Sequence, residues 1–268
     1  MTFLRWAGSK KQILDTLSCC WYASRATGKS GRYIEAFSGS AALFFRLQPE
    51  QAILVDVNAE LQSCMGSVLR RPYAVHNELQ QLPNSAADYY RIRAMDPNSL
   101  TAARRTARFI YLNRYCFNGL YRTNRNGDFN VPYGANRSGD LPTANELAWA
   151  SRCLKRAVLK TGDFYEVLSR EIRSGDFVYL DPPYAKRNTD LDNQYGPDVF
   201  GTNDIDRLMD LLNLIDKRKG HFVVSYAKCP EMKPFQARWL SHTITVKRTI
   251  AANVEHRKVA QELLLTNI

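Results

Sequence analysis

With 268 residues, the chain is long enough to bury one full core, or one domain carrying a large insertion. Lysine and arginine number 37 against 26 aspartates and glutamates, and the net charge of +11 favours a polyanionic partner, most simply nucleic acid. The six cysteines form no C-x-x-C pair and no histidine cluster accompanies them, so neither zinc nor a disulfide framework is expected. No apolar run has the length of a bilayer span and no secretory leader is read, so the expectation is a cytoplasmic protein without metal or membrane contact.

In chain order, Phe3 to Leu17 opens with Phe-Leu-Arg-Trp-Ala-Gly-Ser-Lys and then turns helical. The adjacent Cys19-Cys20 is read as helix packing rather than chemistry. Tyr33 to Phe37 predicts a strand, Ser38-Gly39-Ser40 a turn, Ala41 to Leu47 a helix, and Ala52 to Asp56 a second buried strand. Strand, turn, helix and strand ending in an acid is how a nucleotide-binding α/β sheet opens. Asn58 to Arg114 reads as mainly helical. Tyr115 to Gly139 is rich in Asn, Gly, Arg and aromatics, and predicts loops with a hairpin at Asn126-Gly127. Strands resume at Val158 to Asp163 and at Asp176 to Leu180. Asn203 to Lys217 predicts a helix, with Asp204 in its first turn and Ile205, Leu208, Leu212 and Ile215 at helical spacing. His221–Ser225, His242–Thr249 and Glu262–Thr266 complete the strands. The pattern is a doubly wound α/β sheet with an antiparallel edge, interrupted by a mostly helical insertion.

Asp181-Pro182-Pro183-Tyr184 carries the most chemical information. It follows an apolar strand, and two prolines continue neither strand nor helix interior. The chain therefore turns at the carboxyl end of the strand, where open α/β sheets bind ligands. A carboxylate, a carbonyl on a stiff loop and an aromatic face suit an exocyclic amino group on a flat base. A plain tight turn with a surface tyrosine accounts for these four residues as well. Asp56 suits the two hydroxyls of a ribose, or equally caps the next helix. Together, Asp56 and the Asp-Pro-Pro-Tyr set at a later strand end favour a cofactor-plus-base arrangement.

Four stretches in order carry a resemblance over nearly the whole chain: Phe3 to Lys10; Glu35-Ala-Phe-Ser-Gly-Ser40; Asn113-Arg-Tyr-Cys-Phe-Asn-Gly-Leu-Tyr-Arg122 running on to Gly127-Asp-Phe-Asn-Val-Pro-Tyr-Gly134; and Asp181 to Tyr184. Together they resemble the Dam-type family of DNA adenine-N6 methyltransferases, which use S-adenosyl-methionine. The resemblance implies a Rossmann-like class I methyltransferase sheet from residues 1–57 and 146–268, with residues 58–145 as a DNA target-recognition insertion carrying a β-hairpin.

It further implies roles residue by residue. Trp6, Ala7, Gly8 and Lys10 would line the cofactor site, Glu35, Phe37 and Gly39 would form its turn, and Asp56 would hold the ribose. Asp163 and Phe164 would lie beside the cofactor's adenine, and Asp181 would face both the methyl donor and the target amine. Asp181, Pro182, Pro183 and Tyr184 would be catalytic, with Tyr184 stacked on a flipped adenine. Phe117 and Asn118 would fill the space that base leaves. Leu120 and Arg122 would read base edges, with Arg5 from the other side, while Arg114, Asn124, Asn130 and Tyr133 would contact DNA. Arg125 and Arg137 suit a solvated charged loop. The implied partner is double-stranded DNA with a short recognition motif, met by a monomer or a homodimer.

The chain departs from the family pattern at Ser9, at Ser40-Ala41, at Ser225-Tyr226, and at Ala135-Asn136, where a basic and aromatic pair is usual. The last departure withholds GATC as the implied motif. Three rivals stand beside this reading. Cytosine-N4 methylation uses the same four-residue site, but the insertion resembles adenine enzymes. RNA or protein acceptors are disfavoured by Asp181 and by the basic loop. A non-catalytic DNA-binding regulator is disfavoured by the intact Lys10, Asp56 and Asp-Pro-Pro-Tyr set.

Overall fold

Parallel strands covered on both faces favour near-continuous apolar runs, and Ala52–Val55 and Phe177–Leu180 are such runs. The computed structural model describes residues 2–26, 31–124, 126–184, 200–247 and 259–268. Its elements run α1 (Leu14–Ala26), β1 (Tyr33–Ala36), α2 (Ala42–Leu47), β2 (Ala52–Asp56), α3 (Ala59–Arg70), α4 (Pro72–Gln80), α5 (Ala86–Arg93), α6 (Ala102–Tyr115), α7 (Ala144–Leu154), β3 (Ala157–Thr161), α8 (Phe164–Glu171), β4 (Phe177–Leu180), α9 (Thr202–Lys217), β5 (His221–Ala227), α10 (Lys233–Gln236), β6 (Leu240–Lys247) and β7 (Val259–Thr266). The predicted strand at Ala52–Asp56 and the helix over 203–217 form where expected. No helix among the described residues is long and apolar enough to cross a membrane.

By their contacts the described residues separate into two units, one drawn from Lys10–Val57, Lys160–Leu191 and Val199–Ile268, the other from Met1–Ser9 and Asn58–Leu159. The strands join in the order β3-β2-β1-β4-β5-β7-β6. The pairs β1–β2, β1–β4 and β4–β5 are parallel, whereas β7 runs antiparallel to both β5 and β6. The expected antiparallel edge is therefore present, with the last strand slotted inside it. Ile34, Ile53, Val178, Leu180, Phe222 and Val224 form the sheet's core with Leu208, Leu211, Leu212 and Ile215 of α9 and Leu168 of α8. The α9 residues recur at 3 and 4 positions, which puts them on one face. Each buried leucine contributes roughly 1.5–3 kcal/mol.

The amino end of the central strands β1 and β4 is tied by a buried acid. Asp176, 2% exposed, accepts from the Arg32 guanidinium at 2.8 Å and from the amides of Arg32 and Arg173, both at 2.9 Å. These bonds take Asp176 out of the strand expected to begin there, and β4 starts one residue later.

The second unit is helical through α3 to α6, as the sequence predicts, and adds α7, a helix that the sequence reading did not name. Asn58 caps α3 by accepting the Leu61 amide at 2.9 Å, and Thr143 with Glu146 forms a capping box on α7. Phe109, Ile110 and Leu112 of α6 are buried. Beyond α6 the loops are held by antiparallel bridges at Cys116–Tyr133 and Thr123–Phe129, the form in which the expected hairpin occurs. A Cβ on Gly134 would lie 2.7 Å from the Cys116 carbonyl oxygen, so only glycine lets these two loops meet. Arg125 lies outside the described residues.

Candidate active site and DNA-recognition loops

In the sheet-bearing unit, parallel registry sets the site. Ala36 is level with both Val55 and Leu180, so Phe37, Asp56 and Asp181 emerge at the same carboxyl edge. Phe37 leaves β1 with φ 58°, Gly39 follows with φ 46° and Ala41 with φ 50°. Left-handed backbone at these three positions curls the chain tightly before α2. Asp56 joins this turn through its Oδ2, which accepts the Gly39 amide at 2.9 Å. The alternative capping role falls to Asn58, and the Asp56 carboxylate faces the turn.

Glu35 has a different surrounding. Its carboxyl is 3% exposed and accepts from the Tyr33 hydroxyl at 2.8 Å and the Phe44 amide at 3.3 Å. Burial pushes its pKa up to about 8, against those two hydrogen bonds. Glu35 thus ties β1 to the start of α2 beneath the turn.

Beside Phe37 lie Phe164, at 5.0 Å between ring centroids, and Phe200, at 6.0 Å. Asp163 caps α8 by accepting the Tyr165 and Glu166 amides at 2.9 and 3.1 Å, and it pairs with the Arg207 guanidinium of α9. That guanidinium also covers the faces of Phe164 and Tyr165. A carboxylate that can accept from a diol, a glycine turn that lets backbone come close and phenyl rings beside it are groups that an adenosine-bearing cofactor can use. Asp56, the Gly39 turn and Phe37 with Phe164 fit S-adenosyl-methionine in this sense.

At the end of β4, Asp181 is held from two sides. Lys10 Nζ stands 2.6 Å from its Oδ1, and the Ser225 hydroxyl of β5 donates to the same oxygen at 2.9 Å. The Tyr179 hydroxyl lies 3.1 Å from Ser225 Oγ. Burial raises the Asp181 pKa, while Lys10 and Ser225 pull it the other way. Pro182 is buried, and Pro183 and Tyr184 reach the surface. The Tyr184 hydroxyl donates to Glu262 Oε1 of β7 at 2.5 Å, its ring meets Tyr226 edge-on at 5.5 Å, and Lys10 Nζ stands 5.7 Å from its centroid. Sequence reading missed Glu262, Phe200 and Arg207. Glu262 had a signal, since an acid inside a Gln-Glu-Leu-Leu-Leu strand is seldom buried without a purpose.

In the helical unit, Trp6 stacks on Tyr121 at 5.5 Å and 19°, and the Tyr121 hydroxyl donates to Glu60 at 3.1 Å. Gly8 takes φ 84°, turning the segment after Trp6 and Ala7. Arg5 is clamped: its amide donates to Asn113 Oδ1 at 2.8 Å, and its guanidinium donates to the carbonyls of Arg114 and Arg137 at 3.2 and 2.8 Å. Arg114 keeps a buried Nε without a hydrogen-bond partner among the described residues. The Arg137 guanidinium lies 4.8 Å over the Phe117 ring, so it does more than solvate the loop. Asn118 adopts φ 56°, and Leu120 follows with its amide on the Phe117 carbonyl at 3.2 Å. Arg122 Nε donates to Asn130 Oδ1 at 2.7 Å. Asn124 closes the turn by accepting the amides of Asn126 and Asp128 at 3.0 and 2.9 Å. The Tyr133 hydroxyl donates to Asn84 at 3.3 Å.

Residues 6–253 match the family described as D12 class N6 adenine-specific DNA methyltransferase, and the chain belongs to that family. Its activity is S-adenosyl-methionine-dependent methylation of adenine N6 in DNA. Among similar proteins, the Type II methyltransferase M1.LlaDCHI of Lactococcus lactis subsp. cremoris is 30% identical over 99% of this chain and 94% of its own length. The Type II methyltransferase M.MjaIII of Methanocaldococcus jannaschii is 33% identical over 83% of each chain. A DNA adenine methylase of Salmonella typhi is 29% identical over 98% of this chain and 93% of its own.

Proposed function

We propose that this chain methylates an adenine flipped out of double-stranded DNA at a short motif, with Asp181 and Tyr184 holding the base. The observation that carries the residue assignment is the Lys10–Asp181–Ser225 cluster beside Tyr184 at the carboxyl end of β4.

Adenine's amino nitrogen is a poor nucleophile because its lone pair is delocalised into the ring. Asp181 and the Pro182 carbonyl accept its two N–H groups, which turns the lone pair out of the ring plane. When bound, S-adenosyl-methionine would supply an electrophilic methyl group on a sulfonium, with a neutral thioether as its leaving group. Asp181 then accepts the proton that the newly methylated, cationic nitrogen must lose; its burial favours that protonation. Tyr184 stacks on the base, which a duplex cannot present while paired. Phe37, Asp56 and Phe164 hold the cofactor.

Residues 58–145 form the recognition insertion in this reading. Leu120 and Arg122 read base edges, Asn130 fixes Arg122, and Arg137 keeps Phe117 in place. The protein acts in the cytoplasm, beside a restriction partner or alone.

The test is methylome sequencing of a methylation-free bacterial host expressing the protein or its Asp181→Ala variant. Adenine-N6 marks at one motif, absent with the variant, are expected. Equal marking by the variant rejects the role of Asp181, and marks on cytosine reject the base assignment.

A further inference from the structure

Glu262 sits in β7 opposite Ala227 of β5, only 4% exposed, and its two oxygens differ. Oε1 accepts the Tyr184 hydroxyl at 2.5 Å. Oε2 is buried and has no hydrogen-bond partner among the described residues, yet it lies 3.9 Å from Lys10 Nζ. The same ammonium is 2.6 Å from Asp181 Oδ1, where the Ser225 hydroxyl also donates. Lys10 therefore stands between two carboxylates, bonded to one and within about 1 Å of hydrogen-bond length to the other.

This matters to the reaction. A target amine that needs Asp181 meets an oxygen already engaged by an ammonium and a hydroxyl. Moving Lys10 away from Asp181 into a poorly solvated space without a second anion would leave an uncompensated charge, which is costly. We propose that Glu262 is the alternate counter-ion of Lys10: as the adenine amino group docks on Asp181, Lys10 shifts to Glu262 Oε2. Glu262 is thus a positioning residue that acts through Lys10 on Asp181 and, through Oε1, keeps the Tyr184 ring beside the same base. The shift breaks no covalent bond and moves no proton. This inference rests on the assignment of Asp181 and Tyr184 made above.

The test compares single-turnover methylation at saturating DNA and S-adenosyl-methionine for the wild type, Glu262→Gln, Tyr184→Phe and the double variant. Glutamine keeps an acceptor for the phenol and removes the charge. Tyr184→Phe removes the phenol's bond and keeps the charge and the ring. The expected result is a rate at least about tenfold lower for Glu262→Gln, a smaller loss for Tyr184→Phe, and DNA and cofactor dissociation constants within about twofold of wild type. Equal losses in the two single variants, with none added in the double, reduce Glu262 to an anchor for Tyr184 and overturn the exchange. A wild-type rate in Glu262→Gln overturns it as well. If Glu262→Gln lacks a cooperative unfolding transition, Glu262→Asp replaces it, because the charge stays while the phenol loses its acceptor. Its rate should match Tyr184→Phe, and a far lower rate overturns the proposal. Asp181→Ala runs alongside: full activity there rejects the underlying site assignment, independently of Glu262.

Discussion

Replacing Asp181 by asparagine changes charge at nearly constant shape. Its Oδ1 serves Lys10 at 2.6 Å and Ser225 at 2.9 Å, and the target amine needs the same carboxylate. Hydrogen bonds to an ionised group contribute roughly 1.5–3 kcal/mol. At tenfold per 1.36 kcal/mol, losing one such bond in the transition state slows methyl transfer about 10- to 150-fold. Alanine removes the acceptor altogether and slows it further. Stability moves less, because Lys10 retains Glu262 at 3.9 Å; the loss should stay under about 3 kcal/mol, the lower end for breaking a buried pair. The assay is single-turnover transfer of labelled methyl from S-adenosyl-methionine to duplex DNA, with both ligands saturating and both affinities measured separately. An Asp181→Asn rate within threefold of wild type, to order of magnitude, refutes the reasoning, since no charge-assisted bond would then be lost on the way to the transition state.

Three other variants probe the remaining parts. Glu35 has its folded pKa raised to about 8 from 4.5, so between those values the folded state holds a proton that the unfolded chain has lost. Its stabilising contribution is therefore complete below about pH 4.5 and lost as pH rises through about 8; urea unfolding across that range should show this decline, and Glu35→Gln should flatten it. A slope unchanged by the substitution contradicts the burial argument. Asp56→Ala removes the acceptor of the Gly39 amide and the proposed ribose ligand, so equilibrium dialysis should show cofactor affinity falling about 10- to 100-fold with DNA affinity retained. Equal cofactor binding would remove Asp56 from the site. Arg122→Ala should weaken binding to the cognate duplex by about 1–3 kcal/mol more than to a scrambled one; uniform weakening with a shallower salt dependence would make Arg122 a phosphate contact.

Local sequence determined much of this protein. Apolar runs with no polar face specify buried strands whatever their partners, which is why Ala52–Asp56 forms at its predicted bounds. Helical spacing specified α9, and the prolines after Leu180 specified where β4 ends. The motifs that resembled adenine methyltransferases belong to the family that residues 6–253 match. These features depend on residues a few positions apart, so a linear reading captures them.

Tertiary structure decided which distant groups share charge. That β7 lies between β5 and β6 follows from long-range pairing, which no local pattern encodes. This placement brings Glu262 to Tyr184 and Lys10, three residues spread from the start of the chain to its end. It also separates residues that looked alike in sequence. Asp56 bonds the turn, Glu35 is buried beneath it, and Asp163 pairs with Arg207. The linear order supplied the acids, whereas strand registry and burial set the partner and charge balance of each, because electrostatic energy depends on distance and solvent exposure rather than on sequence separation.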